Sequence, residues 1–402
     1  MKQIVDQLRD EHAVTAEEYR ALLTMRDPED VDYLMTQARR VAQQQFGRKI
    51  YLRGLIELTN VCRNDCLYCG IRRSNRHINR YTLHREQVLA CCEQGYQIGF
   101  RTFVLQGGEW GEDRSQWIAE LVQDIRRRWP DCAITLSLGE HPRETYALWR
   151  ESGADRYLLR HETRDERHYG LLHPTAMTIR HRLQCLDWLK ELGYQVGTGI
   201  MVGSPYQSIR SMVKDIQYLV EFQPHMIGIG PFIPQHDTPL GRFPAGSVEM
   251  TARLYAILRL ALPKVLIPST TAMATLQPDG RLRGILAGAN VVMPNLSPSD
   301  HRQMYALYDN KATLGAESAQ GLNILAEELS TIGYHIDWSR GDSPRLKNRI
   351  ARCVQDIPDT SDYSVIYGLQ PMLEQSVDLG CQGIAGDGSH MLIHHLAILE
   401  EQ

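Results

Sequence analysis

Eight short apolar runs, separated by stretches with helical periodicity, constrain the fold of this chain most strongly. Each run has the length and composition of a buried strand, and stretches such as Ser115–Arg128, Arg182–Leu192 and Ser208–Phe222 read as amphipathic helices. The runs are Leu52–Leu58, Thr102–Gln106, Ala133–Leu138, Arg156–Leu159, Gln195–Met201, Met226–Ile229, Val265–Pro268 and Val291–Met293. Strands that alternate with helices are typical of parallel sheets, so the pattern predicts an α/β fold, a (β/α)8 barrel of the TIM type. A six-stranded partial barrel is the alternative.

Polar and glycine-rich segments directly follow most of these runs. In a parallel barrel the carboxyl ends of the strands converge on one mouth, where catalytic loops lie. The segments are Gln106–Glu109, Ser137–Glu140, Arg160–Glu162, Met201–Pro205, Gly230–Phe232 and Ser269–Thr271. We therefore expect the chemistry of the chain to be concentrated at one face of the barrel.

Three cysteines, Cys62, Cys66 and Cys69, lie just after the first predicted strand in the spacing CxxxCxxC. Three thiolates can bind three corners of a four-iron cluster and leave the fourth iron open to a small molecule. The spacing thus indicates a catalytic [4Fe–4S] site. The alternative is a zinc knuckle with His77 or His84 as the fourth ligand, although structural zinc favours two short ligand pairs separated by a longer loop.

Composition disfavours several classes of protein. The 44 basic and 48 acidic side chains give a formal charge of −4 over 402 residues, which argues against a general binder of nucleic acid or membrane surfaces. No apolar run is long enough to span a bilayer, and the N-terminus lacks the apolar core of a signal peptide, so we expect a cytoplasmic protein. The odd number of cysteines, nine, also fits a reducing compartment.

We expect four segments along the chain. Residues 1–48 read as a helical lead-in that caps one end of the barrel, and residues 49–300 form the barrel itself. Residues 301–345 add closing helices, and residues 346–402 form an extension without clear periodicity. A loosely packed tail is the favoured interpretation of that extension, although it contains potential metal ligands: Cys353, Cys381, His390, His394 and His395.

Several side chains at the predicted mouth are candidates for binding a cofactor. Tyr68, between two of the cysteines, is placed either to lie against an adenine ring or to pack the loop. The segment Gly107–Glu109 lets a ligand approach the backbone closely. The charges of Arg160, Glu162 and Arg182 suit a carboxylate and ribose hydroxyls, and surface ion pairs are the alternative.

A second group of candidates is expected deeper in the barrel. Arg156, Thr270 and Thr271 suit an anion-binding site, although helix capping also explains the two threonines. The basic loop Arg72–His77 is interpreted as a solvated segment, with docking of an electron donor as the alternative. Hydrolase motifs and the G-x-G-x-x-G motif of Rossmann-type methyltransferases are not found.

These motifs resemble the radical S-adenosylmethionine (radical SAM) enzymes of the biotin synthase-like group, and within it the HydE family of [FeFe]-hydrogenase maturases. The similarity extends to about residue 340, and the stretches that carry it are Asn60–Gly70, Tyr157–Thr163, Gly228–Leu240 and Ala289–Asn295. The resemblance implies that S-adenosylmethionine (SAM) chelates the open iron and is cleaved reductively to a 5′-deoxyadenosyl radical. It further implies that the barrel receives an organometallic iron species with carbonyl, cyanide and cysteine ligands, which leads toward the diiron subcluster.

The resemblance also implies roles for individual residues. The three motif cysteines would bind the cluster and so be both catalytic and metal-binding. The implied SAM contacts are Gly108, Glu109, Ser137, Arg160, Glu162 and Arg182, and the implied substrate contacts are Arg156, Thr270, Thr271 and Met293. The implied partners are a small organometallic or amino-acid-derived substrate, a low-potential electron donor of the flavodoxin or ferredoxin type, and other hydrogenase maturation proteins.

One departure from the family bears on the cofactor. Some members carry three more cysteines for an accessory cluster, and the corresponding stretch near residues 313–320 has none, so we predict a single cluster. Two other functions remain open. One is a methylornithine synthase-like mutase, which shares the barrel and the cluster but acts on lysine, and the other is a non-catalytic carrier or scaffold for an iron complex.

Overall fold

The computed structural model describes residues 1–346 of the chain. The strands in this range are β1 (Lys49–Leu52), β2 (Gly54–Thr59), β3 (Thr102–Gly107), β4 (Ala133–Ser137), β5 (Arg156–Leu158), β6 (Gln195–Thr198), β7 (Met201–Val202), β8 (Met226–Ile227), β9 (Gly230–Pro231), β10 (Val291–Val292) and β11 (His335–Asp337). The helices are α1 (Lys2–Glu11), α2 (Ala16–Thr24), α3 (Pro28–Phe46), α4 (Arg85–Ile98), α5 (Ser115–Arg128), α6 (Arg143–Glu151), α7 (Glu166–Leu172), α8 (Ile179–Glu191), α9 (Ile209–Phe222), α10 (Val248–Ala261), α11 (Thr271–Leu276), α12 (Gly280–Leu286), α13 (Ser299–Arg302) and α14 (Leu322–Thr331). Across residues 1–346, none of these helices combines the length and apolar character needed to cross a membrane. The predictions on the cysteines and histidines of the tail lie outside the described residues.

The strands form a closed parallel barrel. Six of them pair in the order β2-β3-β4-β5-β6-β8, and β1 pairs with β10. Isolated parallel bridges complete the ring through the segment 265–268: Met226 to Leu266, Pro268 to Val291, and Leu55 to Asn295. Three positions of the barrel each contain two short consecutive strands, β1 with β2, β6 with β7, and β8 with β9. Together with β3, β4, β5, β10 and the segment 265–268, they make eight positions. The predicted (β/α)8 barrel is therefore confirmed, and the six-stranded alternative is wrong.

Side chains of the strands alternate between the outer helices and the barrel interior. Ile56 and Leu58 of β2 belong to the large core cluster between strands and helices, so Glu57 between them faces inward. In the same way Tyr157 and Leu159 face the helices, and Arg156, Leu158 and Arg160 face the interior. Strands buried on both faces read as continuous apolar runs, which is why the sequence located them so well.

An apolar layer fills the barrel interior near the amino ends of the strands. It consists of Leu158, Met226, Leu266 and Val291 with Phe46 from the end of α3, and Tyr51 and Met293 pack against it. We call this layer the apolar plug. Leu158 lies between Arg156 and Arg160 on the inward face of the same chain segment, so the plug separates these two arginines.

The N-terminal helices α1 to α3 pack against α9 and α10. Asp27 caps α3, Pro28 is its first residue, and Gly47 ends it with a φ of 65°. Apolar residues of the three helices share one core cluster with α9 and α10, among them Leu8, Leu22 and Leu34. The expected domain boundaries at residues 48, 300 and 345 stay a prediction.

Candidate active site at the mouth of the barrel

The loop that follows β2 carries the three motif cysteines and is held by polar side chains. Asn60 at its start donates to the carbonyl groups of Asn79 at 2.7 Å and Met304 at 2.8 Å. Arg80 donates to four carbonyl groups of the same region, those of Asn60, Ile71, Arg72 and Asn75. Because a guanidinium presents its donors in a rigid fork, this one side chain fixes the path of the loop. The positions of the thiols therefore depend on a polar framework.

The three thiols are free and partly buried. Burial raises the pKa of Cys62, of Cys66 and, to about 12, of Cys69. The neighbouring thiols add to this effect, since Cys62 raises the pKa of both others. Three thiolates would thus repel one another here unless positive charge lies among them. A bound metal supplies that charge and deprotonates the thiol that coordinates it.

The arrangement does not support a zinc knuckle. Within the described residues, no three histidine, cysteine, aspartate or glutamate side chains converge closely enough to hold a single metal ion. His77, one expected zinc ligand, contacts Asp237 through Nδ1 at 2.8 Å, and His84 is the N-cap residue of α4. An iron–sulfur cubane takes one protein ligand at each iron, so three thiols on one loop can hold it and leave the fourth iron open.

The end of β3 approaches the cysteine loop closely. A Cβ atom added at Gly108 would come within 2.2 Å of the Val61 carbonyl oxygen, so the backbone contact requires glycine. Glu109 is fixed beside it, because its carboxylate accepts hydrogen bonds from Arg63 Nε at 2.8 Å and from the Glu140 backbone N–H at 2.7 Å. The predicted glycine–glutamate segment thus lies against the cysteine loop.

Arg160, Glu162 and Arg182 are brought together at the mouth. Arg160 Nη2 donates to Glu162 Oε2 at 2.8 Å, and Arg182 Nη1 donates to the Arg160 carbonyl at 2.7 Å. Arg182 also pairs with the buried carboxylate of Glu140, to which sequence reasoning assigned no role. The only sequence signal for Glu140 was its place in a polar segment after a strand. The charged side chains at the mouth therefore form two pairs, Arg160 with Glu162 and Arg182 with Glu140, and the first pair lies closer to the barrel interior.

Tyr68 packs against His173 at the outer edge of the loop. The two rings meet edge to face with centroids 5.5 Å apart, and Tyr68 Oη lies 3.3 Å from His173 Nε2. Burial raises the pKa of Tyr68 and lowers that of His173 to about 3, so both rings are neutral near pH 7. The Met177 sulfur lies 4.0 Å from Cys66 Sγ. Residues 173–177 therefore cover the loop, and contact of Tyr68 with adenine stays a prediction.

Arg156 does not join Thr270 and Thr271, so the predicted grouping of these three residues is wrong. It is the first residue of β5 and lies below the apolar plug. Its guanidinium donates, at distances of 3.1, 3.0 and 2.7 Å, to Thr102 Oγ1, the Arg340 carbonyl and Asp342 Oδ1. An inward side chain at the start of a barrel strand faces the amino-terminal end, whereas the two threonines follow the segment 265–268 at the opposite end.

Above the plug, the interior is lined mainly by polar side chains. Alternation along the strands places these residues on the inward face: Glu57, Gln106, Ser137, Arg160, Met293 and Asn295. The Thr270 hydroxyl lies beside Gly230, where an added Cβ would come within 2.9 Å of it. Thr271 is tied outward, because its hydroxyl donates to Glu317 at 2.6 Å.

An ion pair that sequence reasoning missed crosses this upper interior. Glu57 is fully buried and accepts hydrogen bonds from Lys311 Nζ and, at 2.9 Å, from Asn295 Nδ2. The Lys311 ammonium also lies 4.8 Å from the centre of the Tyr305 ring. The paired residues are 254 positions apart, and Lys311 lies in an aperiodic segment, so no local pattern signals the contact.

Comparison with known proteins decides the family. Residues 56–219 match the sequence model of the radical SAM superfamily. The chain is 43% identical over 297 residues to the [FeFe] hydrogenase maturase subunit HydE of Thermotoga maritima, and the alignment covers 74% of this chain and 84% of that protein. The chain belongs to the radical SAM superfamily.

Two further radical SAM proteins are similar to it. The 3-methylornithine synthase of Methanosarcina acetivorans is 32% identical over 289 residues, which is 71% of this chain and 80% of that protein. The crystal structure of methylornithine synthase (PylB) superposes with a TM-score of 0.74 at 27% identity and covers 83% of this chain and 97% of that one. This radical SAM enzyme therefore has the fold of a solved radical SAM barrel.

As a radical SAM enzyme, the protein uses a [4Fe–4S] cluster and S-adenosylmethionine. The donor set fits such a cluster, since three thiols lie on one loop and Cys62 is close enough to raise the pKa of both Cys66 and Cys69.

Proposed function

We propose that this radical SAM enzyme acts in [FeFe]-hydrogenase maturation, on an organometallic iron–cysteine precursor of the diiron subcluster. The observation that carries the proposal is the 43% identity to HydE across 84% of that protein. The cysteine loop supports it, because Cys62, Cys66 and Cys69 form a set suited to a cluster with one open iron.

In this proposal each part of the mouth has a role. Cys62, Cys66 and Cys69 bind the cluster, and SAM bound there supplies a 5′-deoxyadenosyl radical. The residues that hold SAM are Tyr68, Gly108, Glu109, Ser137, Arg160, Glu162 and Arg182. Thr270 and Met293 lie toward the substrate. Thr271 is excluded because its hydroxyl is bound to Glu317, and Arg156 is excluded because the plug separates it from them. The plug also keeps water from entering the reaction chamber through the amino end of the barrel.

The proposal includes partners and location. The protein receives electrons from a low-potential donor of the flavodoxin or ferredoxin type and works with other hydrogenase maturation proteins. The exposed basic residues Arg73 and Arg76 follow the cysteine loop and give an acidic donor a complementary surface, whereas Arg72 is paired with Asp65. The odd number of cysteines and the free thiols support a reducing compartment, the cytoplasm.

Cleavage of SAM tests the cluster assignment. The full chain, reconstituted with iron and sulfide without oxygen, is incubated with SAM and dithionite, and 5′-deoxyadenosine is measured by chromatography. We expect product from the parent protein and none from Cys66→Ala, because a missing thiolate disables the cluster. Cys91→Ala is the matched control, since Cys91 is a buried core residue of α4 and this variant should keep full activity. Equal product from Cys66→Ala and the parent would contradict the assignment.

A mutase of the 3-methylornithine synthase type is the second candidate function. It is favoured by the 32% identity to that enzyme and by the TM-score of 0.74 to PylB. Formation of 3-methylornithine from L-lysine would establish it. The maturase proposal instead requires that cells lacking this protein lose [FeFe]-hydrogenase activity and regain it with the parent gene. A non-catalytic scaffold would yield no 5′-deoxyadenosine in either case.

A further inference from the structure

The backbone at Glu162 adopts a conformation that residues with a β-carbon rarely adopt. Its φ is 63°, in the left-handed region, and the Thr163 backbone N–H donates to the His161 carbonyl at 2.8 Å across it. This contact closes a three-residue turn at the end of β5. Strained backbone of this kind persists only where the surroundings determine it, and it concentrates at functional sites.

A buried histidine–aspartate pair lies directly behind this turn. His161 is fully buried, with Nδ1 2.9 Å from Thr198 Oγ1 and Nε2 3.7 Å from Asp215 Oδ1. Asp215 belongs to α9 and is also fully buried. Its Oδ1 additionally accepts the backbone N–H of Arg164. One carboxylate therefore lies against the chain on both sides of Glu162, hydrogen-bonded to the Arg164 backbone and next to the His161 imidazole.

Helix α9 makes two more contacts with the same segment. Lys214 Nζ donates to Asp165 Oδ2 at 2.5 Å, and the Tyr218 ring meets the His161 ring edge to face at 4.9 Å. Residues three and four apart on a helix are neighbours, so Tyr218 lies beside both Asp215 and Lys214, and the three side chains contact residues 161–165 from one side of α9. We call this group the α9 clamp: Lys214, Asp215 and Tyr218.

The clamp is not an efficient way to stabilise a barrel. Asp215 Oδ2 and His161 Nε2 have no hydrogen-bond partner among the described residues. Burial raises the pKa of Asp215 and the neighbouring His161 lowers it, so the pair is electrostatically coupled inside the protein. Apolar residues of similar volume usually serve stability as well as or better than such a pair, which points to a role in positioning.

The other side of the turn shows what is positioned. Glu162 directs its carboxylate to Arg160 Nη2 at 2.8 Å, and Arg160 is held in turn by the Ile200 carbonyl at 2.7 Å. With a negative φ, the Cβ of Glu162 would leave the turn in another direction, and this carboxylate would lose its place at the interior.

We propose that His161 and Asp215 are positioning residues that hold Glu162 in its left-handed conformation and so direct its carboxylate toward bound SAM. The inference rests on the proposed function, which places Glu162 at SAM. Neither residue touches the cofactor itself. Their loss therefore weakens SAM binding and raises the KM for SAM, whereas kcat at saturating SAM changes much less.

Substitutions that remove one contact at a time test this inference. His161→Asn keeps a polar group near Thr198 and loses the one toward Asp215, and His161→Gln does the reverse. Ile216→Val is the matched control, because Ile216 is a fully buried neighbour of Asp215 on α9 that faces the apolar core. The measurements are the dissociation constant of SAM for the cluster-loaded full chain, amide hydrogen exchange of residues 161–165 in the metal-free protein, and the melting temperature.

We expect His161→Asn and Asp215→Leu to raise the dissociation constant of SAM about 10-fold or more and to speed exchange of the Arg164 amide. His161→Gln should bind SAM nearly as well as the parent, and Ile216→Val should lower the melting temperature without changing SAM binding. The inference is overturned if His161→Asn exchanges faster but binds SAM like the parent. It is also overturned if Ile216→Val weakens SAM binding in proportion to the fall in its melting temperature. If His161→Asn does not fold, Asp215→Leu replaces it, and normal SAM binding by Asp215→Leu overturns the inference. If the parent protein makes no 5′-deoxyadenosine, the proposed function is wrong. The hydrogen-exchange data would still show whether the α9 clamp fixes residues 161–165.

Discussion

Removal of the Lys311 ammonium should destabilise the protein strongly. Glu57 is fully buried and the Lys311 side chain is 10% exposed, so Lys311→Met leaves a buried carboxylate to which, among residues 1–346, Asn295 alone donates a hydrogen bond. Breaking a buried pair by removing one partner costs about 3–5 kcal/mol. The entropy of unfolding is about 2 cal/mol/K per residue, or about 0.7 kcal/mol/K over the 346 described residues. We therefore expect the melting temperature to fall by about 4–7 °C.

A double-mutant cycle separates the pair from its members. Glu57→Gln, Lys311→Met and the double variant are compared with the parent by circular dichroism, on metal-free protein under reducing conditions. The double variant should lose less free energy of unfolding than the two single variants lose together, because it leaves no unpaired charge buried. Lys49→Met is the control: the Lys49 side chain is 55% exposed and 3.6 Å from Asp337, so its loss should shift stability by less than about 1 kcal/mol. If Lys311→Met behaves like Lys49→Met, or if the two losses simply add, the reasoning is refuted.

Three further predictions follow from other contacts. Gly139 has a φ of 92°, and an added Cβ would lie 2.2 Å from Glu109 Oε2. Gly139→Ala should therefore lower the free energy of unfolding by more than about 1 kcal/mol and weaken SAM binding. Denaturant unfolding and SAM titration measure the two effects, and unchanged values would contradict the prediction. The hydrogen bond to Asp309 raises the pKa of His236 above 6.5, so this contact stabilises fully below pH 6.5 and is lost as the pH rises through the folded-state pKa. In Asp309→Asn the imidazole should titrate at lower pH by NMR, and an unmoved titration would count against the contact. Leu158→Ala in the plug should cost about 2–5 kcal/mol by guanidinium unfolding, and a loss below about 1 kcal/mol would show that the layer is not tightly packed.

The elements of the barrel could be predicted from the sequence because each is a local pattern. The helix expected over Ser115–Arg128 is observed with those bounds, and the one expected from Ser208 begins one residue later because Ser208 is its N-cap. The sequence pattern did not indicate the strand His335–Asp337, since it is three residues long and, within residues 1–346, pairs with β1 alone.

The candidate site was less predictable, because it depends on where along a strand each side chain lies. Arg156 and Arg160 both face inward, yet the plug puts them in different chambers, and nothing in a four-residue apolar run indicates which end a charge serves. The Glu57–Lys311 pair joins residues from opposite ends of the chain, so only the closed ring brings them together. Segments directly after strands were located correctly, because the carboxyl ends of parallel strands always share one edge.

The apolar plug closes the amino end of the barrel, so the interior above it is reached through the mouth. A ligand that binds next to the plug has to enter before another ligand occupies the mouth, and it can leave only after that ligand has dissociated. If the nucleoside cofactor sits at the rim and the substrate beneath it, the two must load in a fixed sequence and depart in the reverse one.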